Sequence, residues 1–215
     1  MKVDLIHYTN DPYSVVYFAG KSCVYGGREL SWDQVAATPL EEKEQFIRKL
    51  IAQGHESVLE HVTFTFRIYD VSRVLTHQLV RHRIASYSQL SHRRLVKEPS
   101  FVVPDGILNL PDEKQKVVKR FFMTAVQLYN SLIREGVPED EARYVLPQGI
   151  TTTIVATFNA RSLRNFLRLR LAKDASFEIR ELAATIFDLV APIAPVLVED
   201  LRSLRYEQGG VRDAQ

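Results

Sequence analysis

The chain has 215 residues, 46% of them apolar and 25% charged, with a formal net charge of only +2. That length suits one domain with a sizeable core, and so small a charge gives no global field for nucleic acid, so any basic signal must be local. A single cysteine, Cys23, excludes an internal disulfide and a Cys-rich zinc site. The opening MKVDLIHYTNDPY lacks the apolar core of a secretory signal, and no apolar run reaches the roughly 20 residues of a membrane span. The expectation is a soluble cytoplasmic protein with no membrane partner.

Val3-Asp4-Leu5-Ile6-His7-Tyr8, bounded by Asn10-Asp11-Pro12, reads as a first strand. Residues 12–25 are apolar and end at Gly26-Gly27, which predicts a short helix and a turn. Cys23 in that segment is expected to be a small buried hydrophobe rather than a nucleophile. Thr38-Pro39-Leu40-Glu41 has the form of a helix start, with Thr38 at the N-cap and Pro39 at the first helical position. Phe46, Ile47 and Leu50 supply the apolar stripe, and Gly54 stops the helix. His55-Glu56-Ser57-Val58-Leu59-Glu60-His61 then leads into Val62-Thr63-Phe64-Thr65-Phe66-Arg67-Ile68, whose β-branched and aromatic residues predict a strand. The His and Glu residues of 55–61 match no common helical ligand spacing, and no second cluster completes a coordination shell, so no metal is expected. They read as a polar loop capping the strand.

Ser72 can cap a helix running to about Arg83. Val71, Val74, Leu75, Gln78 and His82 share one helical face, which puts Gln78 and His82 where apolar residues are expected. Polar side chains on a core stripe need partners, and their place just before a run of Arg and Ser points to a ligand. His77 lies off this face, at the surface. The run holds Arg81, His82 and Arg83, then Ser86, Ser88 and Ser91, then Arg93 and Arg94, with no acidic residue between Asp70 and Glu98. Arginine forks grip phosphate bidentately, and hydroxyls and loop N–H groups fill its remaining acceptor sites. A solvated basic loop has the same composition.

Phe101-Val102-Val103-Pro104-Asp105-Gly106 reads as an extended piece and a turn. Pro111 opens a long amphipathic helix carried by Val117, Val118, Phe121, Phe122, Ala125, Leu128, Leu132 and Ile133, and Gly136 stops it. Residues 138–147 predict a short helix with acids in its first turn. Residues 149–158 predict a strand, and 159–170 a helix with Asn159 at its N-cap. Leu163, Phe166, Leu167 and Arg170 share a face of that helix, so Arg170 falls on the apolar side. It must either meet an anionic or carbonyl-rich partner or snorkel from the edge. Arg161, Asn165 and Arg168 form a different, polar face, and turning about 100° per residue puts Arg161 opposite Arg170. One helix could therefore serve two pockets or bridge two subunits. A helix over about 175–189, a second after Pro195 and a frayed tail from about 207 complete the chain. Neither standard nucleotide-binding glycine loop is present. The sum is a single helix-rich α+β domain over residues 1–215, with a mixed or antiparallel sheet and side chains suited to a phosphorylated, carbonyl-bearing ligand.

Arg81-His82-Arg83, followed after seven residues by Ser91, resembles the signature of the flavin-dependent thymidylate synthases. Three further segments resemble that family in order: His55 to His61 before a strand, Arg143-Tyr144-Val145-Leu146-Pro147, and the helix ending at Arg170. The resemblance covers residues from about 50 to 180. It implies reductive methylation of dUMP to dTMP, with 5,10-methylenetetrahydrofolate as carbon donor and FAD, reduced by NADPH, as hydride source. It also implies a homotetramer whose active sites are shared between subunits. Carried over by motif, Ser57, Arg81, His82, Arg83, Gln89, Asn159, Ala160, Arg161 and Asn165 would contact the flavin. Gln78, Arg81, Gln89, Ser91, Arg93, Arg143 and Arg170 would hold the nucleotide, with Leu79, Val80, Leu90 and His92 lending backbone groups. Arg170 would polarise the uracil, and Ser91 would position or polarise near the reacting ring.

The chain departs from the family pattern at Ser88-Gln89, where Asn-Glu is common, at Arg94, and at Ala175-Ser176-Phe177-Glu178, where Ala-Gln-Trp-Glu is frequent. A competing reading makes the 81–97 stretch a nucleic-acid surface with Tyr87 stacked on a base, but it leaves Asn159, Arg161, Asn165 and Arg170 unexplained. A third, an inactive oligomeric relative, would bind flavin without turnover.

Overall fold

The computed structural model describes residues 1–25, 30–91 and 100–206, so the turn at Gly26-Gly27, the roles given to His92, Arg93 and Arg94, and the tail from 207 lie outside it. Among the described residues the order is β1 (Lys2–Tyr8), α1 (Pro12–Tyr25), α2 (Trp32–Ala37), α3 (Leu40–Ala52), a 3-10 turn (Glu56–His61), β2 (Thr63–Ser72), α4 (Arg73–Leu79) and β3 (Ala85–Gln89). There follow α5 (Asp105–Leu108), α6 (Asp112–Arg134), α7 (Glu139–Ala142), a 3-10 turn (Arg143–Val145), β4 (Thr151–Asn159), α8 (Ala160–Arg170), α9 (Phe177–Val190), 3-10 turns at Pro195–Leu197 and Glu199–Leu201, and α10 (Arg202–Tyr206).

The sheet is ordered β1-β2-β4-β3. Ala160 N–H donates to Val62 at 2.8 Å, Arg73 N–H donates to Gln148 at 3.0 Å, and the Thr65 and Thr157 hydroxyls meet at 3.0 Å. These rungs climb β2 while descending β4, so the pair is antiparallel, and the chain is α+β with an antiparallel sheet as its sequence suggests. Period-two patterning sets the faces: Phe64, Phe66 and Ile68 of β2 are buried, as are Thr152, Ile154, Ala156 and Phe158 of β4. Thr152 Oγ1 has no hydrogen-bond partner among the described residues. Replacing it with isosteric valine removes an unpaid desolvation cost, so Thr152→Val is expected to gain about 1 kcal/mol, or roughly 2–4 °C in Tm, by thermal denaturation.

Contacts group the chain into two compact units. In the unit formed by 3–66, 82–86 and 156–215, α1 packs on α3 and on the Glu56–His61 turn, and α8 packs on that turn and on α9. Val16, Ile47, Leu59, Phe158, Phe166, Leu182 and Phe187 fill its core. In the unit formed by 1–2, 67–81 and 87–155, α6 packs on α7 and the Arg143–Val145 turn, and Leu75, Leu79, Val126, Tyr129 and Ile154 are buried.

Several expectations are corrected. α4 ends at Leu79, so Arg81, His82 and Arg83 follow the helix rather than lie on it, and Val74 is exposed rather than part of the core stripe. Residues 85–89 form a strand, not a loop. Pro39 rather than Thr38 occupies the N-cap of α3; Thr38 instead closes α2, its Oγ1 donating to Gln34 O at 3.0 Å. Residues 56–61 form a 3-10 turn. Cys23 is exposed. The stripe expected to pack α6 inward is largely uncovered: Val117 is 60% exposed, Phe121 59% and Leu128 48%, and the helix buries only Ala125, Val126 and Tyr129.

Candidate functional site

The unit formed by 1–2, 67–81 and 87–155 carries Gln78, Leu79, Val80, Arg81, Gln89, Leu90, Ser91 and Arg143. Ser72 caps α4 by accepting from Leu75 N–H at 3.0 Å. At the other end, the Tyr87 hydroxyl donates to the Leu79 carbonyl at 3.0 Å, fixing where the chain leaves the helix. Burial pushes the Tyr87 hydroxyl up to about 12, so it remains a donor at neutral pH. That hydrogen bond and the half-buried ring remove Tyr87 as an open stacking platform, and they occupy the carbonyl that Leu79 would have lent a ligand. Gln89 Nε2 donates to the buried Thr76 Oγ1 at 3.0 Å, so its amide nitrogen is engaged within the unit. Arg81, Val80, Leu90 and Ser91 are exposed, and Gln78 is half-buried. Arg143 is half-buried at a 3-10 turn, its Nε donating to Asp140 O at 3.1 Å.

The unit formed by 3–66, 82–86 and 156–215 carries Ser57, His82, Arg83, Asn159, Ala160, Arg161, Asn165 and Arg170. Asn159 caps α8, its Oδ1 accepting from Ser162 N–H at 2.8 Å. Ala160 is buried and its N–H donates to Val62 O. Ser57, Arg83, Arg161 and Asn165 are exposed, and Arg161 pairs with Glu60 at 2.6 Å. Arg170 Nε donates to His82 Nε2 at 2.9 Å, and the imidazole stands edge-on to Phe166 with centroids 5.1 Å apart. Residues 88 apart in sequence thus meet at one hydrogen bond.

Burial first, and then the charge of Arg170, push His82 down from 6.5 to about 4. The proton therefore prefers the unfolded chain. This stability is full above pH 6.5, drains as pH falls and is lost by about pH 4, at most about 3 kcal/mol. Tm measured from pH 7 to 4 is expected to fall less steeply for His82→Gln than for the parent, whereas parallel curves would contradict this origin.

The arginine that α8 buries completely is Arg164, which the sequence did not single out. It is 1% exposed and grips Asp200 with two hydrogen bonds of 2.7 and 2.8 Å, donating also to Glu56 and to the Leu197 carbonyl. Burial alone would lower its pKa, but Asp200 and Glu56 outweigh it and hold the guanidinium above its ordinary value. Glu56 precedes Ser57, so this cluster fixes the turn that presents that hydroxyl. Glu56 and Glu60 are thereby tied to arginines, and the described residues hold no His/Cys/Asp/Glu group suited to a metal. Nor is any described helix long and apolar enough to cross a membrane.

Fold and side chains together define an α+β protein whose two units each carry guanidinium and carboxamide groups among their exposed or half-buried side chains. Residues 4–196 match the family described as thymidylate synthase complementing protein. A flavin-dependent thymidylate synthase of Sulfurisphaera tokodaii is 40% identical over 198 residues, covering 92% of this chain and 76% of the relative. Those of Geobacter sulfurreducens and Pyrococcus furiosus are each 38% identical, covering 93% and 89% of this chain and 86% and 79% of theirs. The chain belongs to the flavin-dependent thymidylate synthase family.

Proposed function

We propose that this chain converts dUMP to dTMP as a flavin-dependent thymidylate synthase, taking its carbon from 5,10-methylenetetrahydrofolate. The observation that carries the reading is the His82–Arg170 hydrogen bond, because it holds a half-buried cation in one orientation with its terminal nitrogens available. A guanidinium set beside the uracil N3 and its carbonyl stabilises negative charge as C5 becomes nucleophilic. No thiol need attack C6, consistent with Cys23 lying on α1, away from every motif in sequence. Ser91 would orient or polarise the ring, since no His/Asp relay marks it as a nucleophile. Gln78, Arg81, Arg93 and Arg143 would hold the nucleotide, the arginines through its phosphate.

The donor chemistry also fits FAD. Exposed Arg81 and Arg83 suit a diphosphate, and Ser57, His82, Arg161, Asn165 and the free ends of Gln89 and Asn159 suit a ring edged with carbonyls and nitrogens. When bound and reduced by NADPH, FAD would supply the hydride. The whole chain would act as one synthase domain in the cytoplasm. A homotetramer is supported by the uncovered apolar stripe of α6, since such surface is usually buried against a partner. The test is a visible spectrum of protein incubated with FAD, desalted and then given dUMP. A flavin band that survives desalting and shifts with dUMP is expected; a colourless protein indifferent to dUMP would overturn the reading.

A further inference from the structure

We propose that His82 is a positioning residue for Arg170: its Nε2 lone pair takes the Arg170 Nε–H and turns the guanidinium so that only the two terminal nitrogens face the ligand. This rests on the reading of Arg170 as the cation beside the uracil.

A guanidinium carries five N–H donors in a rigid fork, and a free arginine side chain spreads them over many rotamers. Committing the Nε–H at 2.9 Å fixes the plane of the fork and spends its inner donor. The imidazole that does this is itself held. Phe166, four residues before Arg170 on α8 and therefore on the same face, backs His82 edge-on at 5.1 Å. Phe166 is fully buried and packs on Phe158 of β4 at 5.5 Å. The orientation of Arg170 is thus passed from the sheet through Phe158, Phe166 and His82.

The arrangement needs a neutral imidazole protonated on Nδ1, because imidazolium has no lone pair to offer and would set a cation against Arg170. The charge that acts on the imidazole is that of Arg170 across from it, which disfavours a second positive charge. A flavin contact alone, which is all the Arg-His-Arg motif implies for this residue, places no such demand on Nε2.

The experiment is a double-mutant cycle of His82→Leu and Arg170→Ala, with His82→Gln as the conservative replacement. Its readouts are kcat and KM for dUMP, FAD retention, and dUMP affinity of the flavin-free protein by calorimetry. His82→Leu is expected to lower kcat about 100-fold, the cost of a misplaced catalytic group, and to cost little further once Arg170 is alanine. His82→Gln, whose Oε1 can accept the same hydrogen bond, is expected to recover about tenfold of the loss. Additive effects, with FAD retention falling in parallel, would make His82 a flavin contact only and overturn the proposal. A parent protein that binds neither FAD nor dUMP would instead overturn the synthase reading beneath it. Should His82→Leu fail to fold, the 15N shifts of His82 in the parent decide: a neutral ring protonated on Nδ1 at pH 7 is expected, and one protonated on Nε2 overturns the proposal.

Discussion

Replacing Arg170 with alanine is expected to lower kcat for dTMP formation by about 10²–10³-fold, the range for losing one preorganised donor aimed at developing charge, while fold and FAD retention persist. Arg170 sits in the last turn of α8, half-buried, and its Nε–H donates to a neutral imidazole rather than a carboxylate. Removing it strands no buried anion, so the stability cost should be that of one hydrogen bond and a favourable helix-end charge, about 1–2 kcal/mol. Arg170→Lys keeps the charge but has no Nε–H for His82 and no fork for the uracil edge, so intermediate activity is expected. Steady-state turnover, flavin absorbance and Tm on the same preparations separate these effects. Near-normal turnover in Arg170→Ala would remove the polarising role.

What the sequence made legible was local. β4 and α8 were readable because alternation, a helical stripe and the Asn159 cap all lie within twenty residues of each other. α2 is legible too: Ser31-Trp32-Asp33-Gln34 is a capping box, and both of its hydrogen bonds form, at 3.3 and 2.9 Å. Other features depend on distant partners. Ala85-Ser86-Tyr87-Ser88-Gln89 lacks the β-branched residues of a self-evident strand and is extended at the sheet edge beside β4, where Leu90 N–H, just past its end, donates to Thr153 O at 2.8 Å. No glycine or proline marks the end of α4; the Tyr87 hydroxyl, eight residues on, takes the Leu79 carbonyl there. The α6 stripe is apolar at helical spacing, but spacing cannot say whether the chain's own elements cover it, and Val117, Phe121 and Leu128 stand exposed. The apolar side of α8 predicted one arginine in need of a partner, whereas two lie there, and the more deeply buried meets carboxylates 36 and 108 residues away.

That second arginine is where the largest loss of stability is expected. Arg164→Leu removes a guanidinium that satisfies Asp200, Glu56 and the Leu197 carbonyl at once. Taking one partner from a buried ionic cluster typically costs 3–5 kcal/mol, because the groups left behind remain desolvated. Here Asp200 is 42% exposed and can rehydrate, while Glu56, at 19%, keeps only a 3.8 Å approach from Arg168, so the lower end, about 3 kcal/mol, is expected. In a chain of this size that corresponds to roughly 6–12 °C in Tm. Arg164→Lys should recover part of the loss, since one ammonium reaches either carboxylate but cannot span the fork. Denaturant titrations give the free energies, and a loss below about 1 kcal/mol would show that the cluster contributes position rather than stability. The functional consequence follows from adjacency: Glu56 released from Arg164 no longer ties down the turn that presents Ser57. Below the melting transition, Arg164→Leu is therefore expected to hold FAD more weakly than the parent while Arg170, six residues further along α8, stays paired with His82.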